Sequence, residues 1–271
     1  MIKEKHTGYV TANCIELAKF LNFSKHDSEL AEIIGLFHDV GRFRQYSIYK
    51  TFNDADSEDH ADLGIKVIEE LEFFKKLSAV DYEIVKFAIQ QHNKKNIAAT
   101  DDDREILFAK IIRDADKLDI YRVLQPYFAQ ENADKLPNFI TGRSPEISPD
   151  FLEKFVRGEQ VDYREIRTNG DRKLVRLMWV YNVYFKWTMK KILERGYIDE
   201  IVKNLPMNEK VRMTVVVAAS APPAAMCTLQ CIRYGRNSVY ASQIFTAGTV
   251  LSVATLPMIV RFTEYLTNLF D

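Results

Sequence analysis

The chain has 271 residues, 37 of them basic and 38 acidic, for a net charge of −1 at neutral pH. So even a balance gives no reason to expect a nucleic-acid-binding surface. The three cysteines, Cys14, Cys227 and Cys231, are too few and too badly spaced for a disulfide framework or a zinc knuckle, which points to a reducing, intracellular setting. No apolar leader precedes the first motif, and His6 stands so close to Met1 that a cleavable signal would remove it.

In chain order, the apolar spacing of Val10, Cys14, Leu17, Ala18 and Leu21 predicts a helix with His6 in its first turn. Asp27 and Ser28 read as caps of a helix beginning at Glu29, which makes His26-Asp27 a chance dipeptide. Ile33 to Phe43 reads as an apolar helix that delivers His38 and Asp39 and unwinds near Gly41. Neighbouring side chains on a helix diverge by about 100°, so a consecutive His-Asp pair serving one site is an unusual demand. After a connector from Tyr46 to Asp59, His60 starts a helix and His92 ends another. A loop over 98–103 feeds a helix carrying Asp114, Asp116 and Asp119. Pro137, Gly142, Pro145 and Pro149 make 132–150 an irregular excursion, expected as a lid. Residues 171–195 read as one long aromatic-rich helix whose stripe packs in the core. The expectation for 1–205 is therefore all-α.

Four histidines and two aspartates stand out as a ligand set: His6, His38, Asp39, His60, His92 and Asp116. Mixed nitrogen and oxygen donors suit borderline divalent metals. The order H…HD…H…H…D on separate helices, carried by "KEKH", "LFHDVGRF", "DHADLG", "QQH" and "DADKLD", closely resembles the HD superfamily of metal-dependent phosphohydrolases over roughly residues 1–205. The resemblance implies an HD-domain helical bundle over 1–208 and one or two divalent ions (Mn, Fe, Co, Ni, Zn or Mg). It implies that His6, His38, Asp39 and Asp116 hold a first metal and that His60 and His92 hold a second, with Asp39 bridging. It also implies hydrolysis of a phosphate monoester, diester or nucleotide by a metal-activated hydroxide. The alternative is a di-iron oxygenase of the myo-inositol-oxygenase-like group, which uses the same four-His, two-Asp set.

Phosphate binding needs cations near the metals. Arg42, one turn after His38, is the first candidate for a forked contact, with a salt bridge to the acidic 54–59 segment as its structural alternative. Lys94 and Lys95 follow, with a solvated loop as the alternative, and then Lys117 and Arg122. Asp39, Arg42 and Lys94 are the expected catalytic groups. Asp114 is expected to orient a histidine; Asp119 does the same or faces the substrate.

The last 59 residues differ in kind: they hold five of the 75 charged side chains. Residues 213–232 and 239–260 are uncharged runs, each long enough to cross a bilayer core of about 30 Å. They resemble the closing pair of membrane helices in auxin-efflux-carrier-type permeases, Pro222-Pro223 matching an interrupted helix. Two helices of ten cannot transport, so the resemblance implies membrane insertion alone. The residues themselves also allow a buried hydrophobic hairpin. The expected architecture is an HD-type bundle followed by a hydrophobic two-helix tail over 213–271. The expected location is a cytoplasmic catalytic domain, anchored where 213–260 inserts. A small phosphate ester or nucleotide is the expected partner, and the oligomeric state is not legible.

Overall fold

The computed structural model describes residues 2–129, 132, 144–157, 161 and 165–205. Among them every regular element is helical: α1 (Ile2–Phe20), α2 (Lys25–Phe37), α3 (Val40–Tyr49), α4 (His60–Glu70), α5 (Ala79–Gln91), α6 (Asp103–Leu124), α7 (Pro149–Val156), α8 (Asn169–Met178), α9 (Lys186–Glu194) and α10 (Tyr197–Lys203). None of these helices is long and apolar enough to cross a membrane. The expected hairpin over 213–260 and most of the expected lid lie outside the described residues.

The core follows from helical periodicity. In α1, Val10, Cys14, Leu17 and Ala18 line one buried face against Leu30, Ala31 and Ile34 of α2. Helix α6 supplies Phe108, Ile111, Ile112, Ala115 and Leu118, and α5 adds Ile84, Val85, Ala88 and Ile89. The caps are local and chemical. Ser24 accepts from the Asp27 backbone N–H, Asp59 from those of Ala61 and Asp62, and Ser78 from that of Asp81. Helix α2 thus begins four residues before the expected Glu29, because Ser24 is the cap and Asp27 lies inside the first turn.

Two expectations need correction. The chain leaves the helix at His38-Asp39, not near Gly41: α2 ends at Phe37, and Asp39, at φ −102° and ψ 12°, is the N-cap of α3. That break re-aims two consecutive side chains, which a continuous helix would send about 100° apart. Gly41 is inside α3 and serves packing. A Cβ there would stand 2.0 Å from the His60 carbonyl oxygen and 2.4 Å from the Gly64 nitrogen, so only glycine lets α3 approach the start of α4. The long helix over 171–195 is likewise broken. Helix α8 ends at Met178, a 3-10 turn covers Trp179–Asn182, and α9 begins at Lys186. Buried Asp114 causes the restart by accepting the backbone N–H groups of Tyr184 and Phe185 at 3.0–3.1 Å. It therefore satisfies the open start of α9 instead of orienting a histidine.

Gly41→Ala should lower stability by about 1–3 kcal/mol, the usual cost of overpacking, measured by urea unfolding. Gly64→Ala, whose Cβ would meet nothing nearer than 3.5 Å, should lose none. Equal effects of the two would show that helix approach is not what Gly41 serves.

Candidate metal centre

All six ligand candidates converge at the helix ends and turns just described. His6 sits in the second turn of α1, one turn later than expected. His38 and Asp39 form the α2–α3 junction, His60 opens α4, His92 caps α5 and Asp116 lies in α6. The four imidazoles and Asp39 are all nearly buried.

Asp39 is at the middle, and its two oxygens face different partners. Oδ2 lies 3.7 Å from His6 Nε2 and 3.9 Å from His38 Nε2; Oδ1 lies 3.5 Å from His60 Nε2 and 3.8 Å from His92 Nε2. His6, His38 and Asp39 form one group able to hold an ion, and Asp39, His60 and His92 a second. Asp116 Oδ1 joins the first side at 3.1 Å from His6 Nε2 and 3.9 Å from His38 Nε2. Ligand atoms each about 2.1 Å from one cation stand roughly 3–3.5 Å apart, close to these spacings.

Every imidazole gives its Nδ1–H to an acceptor outside the cluster: His6 to Asp119 Oδ2 at 2.6 Å, His38 to the Gly35 carbonyl at 2.8 Å, His60 to Asp54 Oδ2 at 2.7 Å and His92 to the Ile89 carbonyl at 2.6 Å. His38 and His92 find theirs three residues back, among the carbonyls a helix C-terminus leaves open. All four Nε2 atoms therefore point inward, which is how metal-binding histidines are oriented. His60 Nε2 and His92 Nε2 stand 3.0 Å apart. With both Nδ1 atoms donating outward, this pair is reconciled only by a positive charge between them. His38 Nε2 is buried without any hydrogen-bond partner, a state that costs free energy unless a ligand meets it. The residues fit a divalent cation.

Protonation follows the same geometry. Burial pulls the His6 imidazole down, but hydrogen bonds to Asp116 and Asp119 outweigh it and raise the ring to about 9. Burial and neighbouring His60 depress His92 to about 3, and burial lowers His38. Burial would raise Asp39, yet the surrounding imidazoles and Lys3 hold it well below the usual carboxylate range. Asp116 is held down in the same way by His6.

The outer residues include several that sequence reasoning did not single out. Lys3 Nζ donates to Asp39 Oδ2 at 2.8 Å; only its place one turn before His6 hinted at that. Asp54 receives His60, Arg42 Nη1 at 2.7 Å and Gln45 Nε2 at 2.8 Å, and the fully buried Gln45 also reaches Ser57 and Glu58. Arg42 donates as well to the Phe52 carbonyl at 2.6 Å, so the expected pairing with the 54–59 segment is present. Its Nε faces Asp39 Oδ1 at 3.6 Å and is buried without a hydrogen-bond partner. Lys94 contacts none of the six and pairs with Asp59 at 2.8 Å and Asp62 at 3.1 Å. Lys117 is turned to the Asn182 carbonyl and Arg122 to Asp119. Asp119 takes the orienting role, gripping His6.

Residues 4–121 match the family model described as HD domain. Over this segment the chain is similar to HD domains. The match contains all six ligand candidates and ends before α7 to α10. No curated protein and no solved structure matches the chain. HD domains bind divalent metals and are generally metal-dependent phosphohydrolases, so hydrolase-type metal chemistry is the coarse assignment.

Asp54→Asn removes the carboxylate that orients His60 and should weaken metal affinity about 10–100-fold, read by titration calorimetry with Mn. Metal binding should also release about one proton per chain at pH 7.5. His6, with its ring raised to about 9, carries the proton below that pH and must lose it from Nε2 to ligate. Calorimetry in buffers of different ionisation enthalpy measures the release, and none would remove His6 from the ligand set.

Proposed function

We propose that the chain is a two-metal phosphohydrolase, a phosphoric-ester hydrolase acting on a small phosphate monoester, diester or nucleotide. The observation that carries this reading is the ring of four inward Nε2 atoms around both oxygens of Asp39. A single carboxylate with two imidazoles on each oxygen suits two ions sharing one ligand. Two bound divalent cations would lower the pKa of a shared water toward neutrality and offset charge on phosphoryl oxygens.

The protein's own residues then have distinct tasks. Asp39 holds both halves of the centre together. Arg42 keeps its Nη1 on the Phe52 and Asp54 oxygens, which leaves Nε, beside Asp39, as a donor toward a phosphoryl oxygen. Lys3, one-third exposed and in contact with Asp39, brings a second cation to the same edge. Lys94 fixes Asp59, the cap of α4, and so contributes by positioning His60. Cations at the rim favour an anionic substrate, which supports phosphoryl chemistry over the oxygenase alternative.

The deciding experiment combines elemental analysis of the full chain with assays of phosphate release under Mn and of oxygen uptake under Fe. About two metals per chain with phosphate release, abolished in Asp39→Ala, is the expected result. Two irons with oxygen uptake and no phosphate release would replace this reading by the oxygenase. A folded chain without metal would overturn both. Arg42→Gln should reduce kcat/KM by about tenfold or more while metal content is kept, since it removes a charge-assisted contact.

A further inference from the structure

The two halves of the metal centre are supported differently. His6 is held by Asp119 of α6 at 2.6 Å and His38 by the Gly35 carbonyl of α2 at 2.8 Å. His60 and His92 depend in addition on the bend that follows α5, over residues 92–96. That bend works as a strap. Asn93 Nδ2 donates to both oxygens of Asp59 at 3.0 Å, and Lys94 Nζ reaches Asp59 Oδ2 at 2.8 Å and Asp62 Oδ2 at 3.1 Å. Asp59 is the N-cap of α4, so the strap ties the helix start that carries His60 to the helix end that carries His92.

One side chain fixes the backbone of the strap. Arg113 of α6 donates through Nη1 to the carbonyls of Gln91 at 2.7 Å and Lys94 at 2.5 Å, and through Nη2 to that of Lys95 at 3.1 Å. The last carbonyls of a helix have no intrahelical partner, and three carbonyl dipoles turned toward one point repel. A guanidinium answers all three because its N–H donors are spread in a fixed plane, whereas a lysine ammonium is a single point.

Taking the two-ion reading above as its basis, we propose that Arg113 is a positioning residue for one half of the centre. By holding the strap it sets the affinity of the His60–His92 half, while the His6–His38–Asp116 half keeps its own supports. Without the guanidinium the strap is released, and Asn93 and Lys94 lose their fixed hold on Asp59. Both imidazoles of one half then lose register together, although each ring keeps its Nδ1–H acceptor on Asp54 or Ile89.

The test is titration calorimetry of the metal-stripped full chain with Mn, joined to electron paramagnetic resonance of the bound ions. It compares the unaltered chain with Arg113→Gln, Arg113→Lys and Asn93→Ala, with circular dichroism and urea unfolding as fold controls. His92→Ala, which deletes a ligand of the half in question, identifies its binding step. The unaltered chain should take up two ions that are magnetically coupled. In Arg113→Gln the His60–His92 step should weaken about 10–100-fold, with the other step unchanged and isolated-ion spectra at one ion per chain. Arg113→Lys should fall between the two. Asn93→Ala cuts the strap at its other end and should weaken the same step, so it decides the matter if Arg113→Gln does not fold. Both steps weakened alike, the other step weakened instead, or neither changed in a folded variant would overturn the inference and leave the two-metal reading standing. A single ion in the unaltered chain would overturn that reading and the inference with it.

Discussion

Four outward hydrogen bonds, one from the Nδ1–H of each clustered imidazole, govern the rest of the molecule. Two end on carboxylates, Asp119 and Asp54, and two on the carbonyls of Gly35 and Ile89. Because each ring is committed on its outer side, its inner nitrogen has no choice of direction. The helices that supply the acceptors thereby become part of the site: α2 and α5 by their C-terminal carbonyls, α6 by Asp119, and the 52–58 connector by Asp54. Removing any one acceptor frees a ring about a single bond without touching a ligand atom.

The His38-Asp39 junction is the second constraint, because it aims two neighbours at one point. It works only if α2 and α3 part company there and both still pack tightly. Gly35 permits close approach to α1, where a Cβ would stand 2.9 Å from Thr11 Cα, and Gly41 permits it to α4. A larger residue at either place would push apart the helices bearing His6 or His60. The cost of this arrangement lies in burial: carboxylates and imidazoles drawn out of water are stabilised only by opposite charge. Cation binding is therefore coupled to the stability of the whole unit, since an ion held by residues from five helices and their junctions binds the folded state alone.

The all-helical class, the capping positions near His60 and His92, and the ligand set were legible in the sequence, because helical periodicity and ordered ligand residues are local signals. The paired role of Arg42, weighed as one of two readings, follows from the acidic run beside it. What local signals could not show was direction. Gly41 looked like a helix breaker, since glycine favours helix ends, but its purpose is contact with α4, a residue-to-residue distance no spacing encodes. Asp114 and Asp119 have the same residue type and lie five apart on α6, yet one caps α9 and the other grips His6. The break at 179–185 depends on Asp114, some seventy residues away in sequence. The residues present determined which chemistry was available to this protein. Which nitrogen, which oxygen and which face would carry it was decided only when long-range packing excluded water and left each buried polar group a single partner.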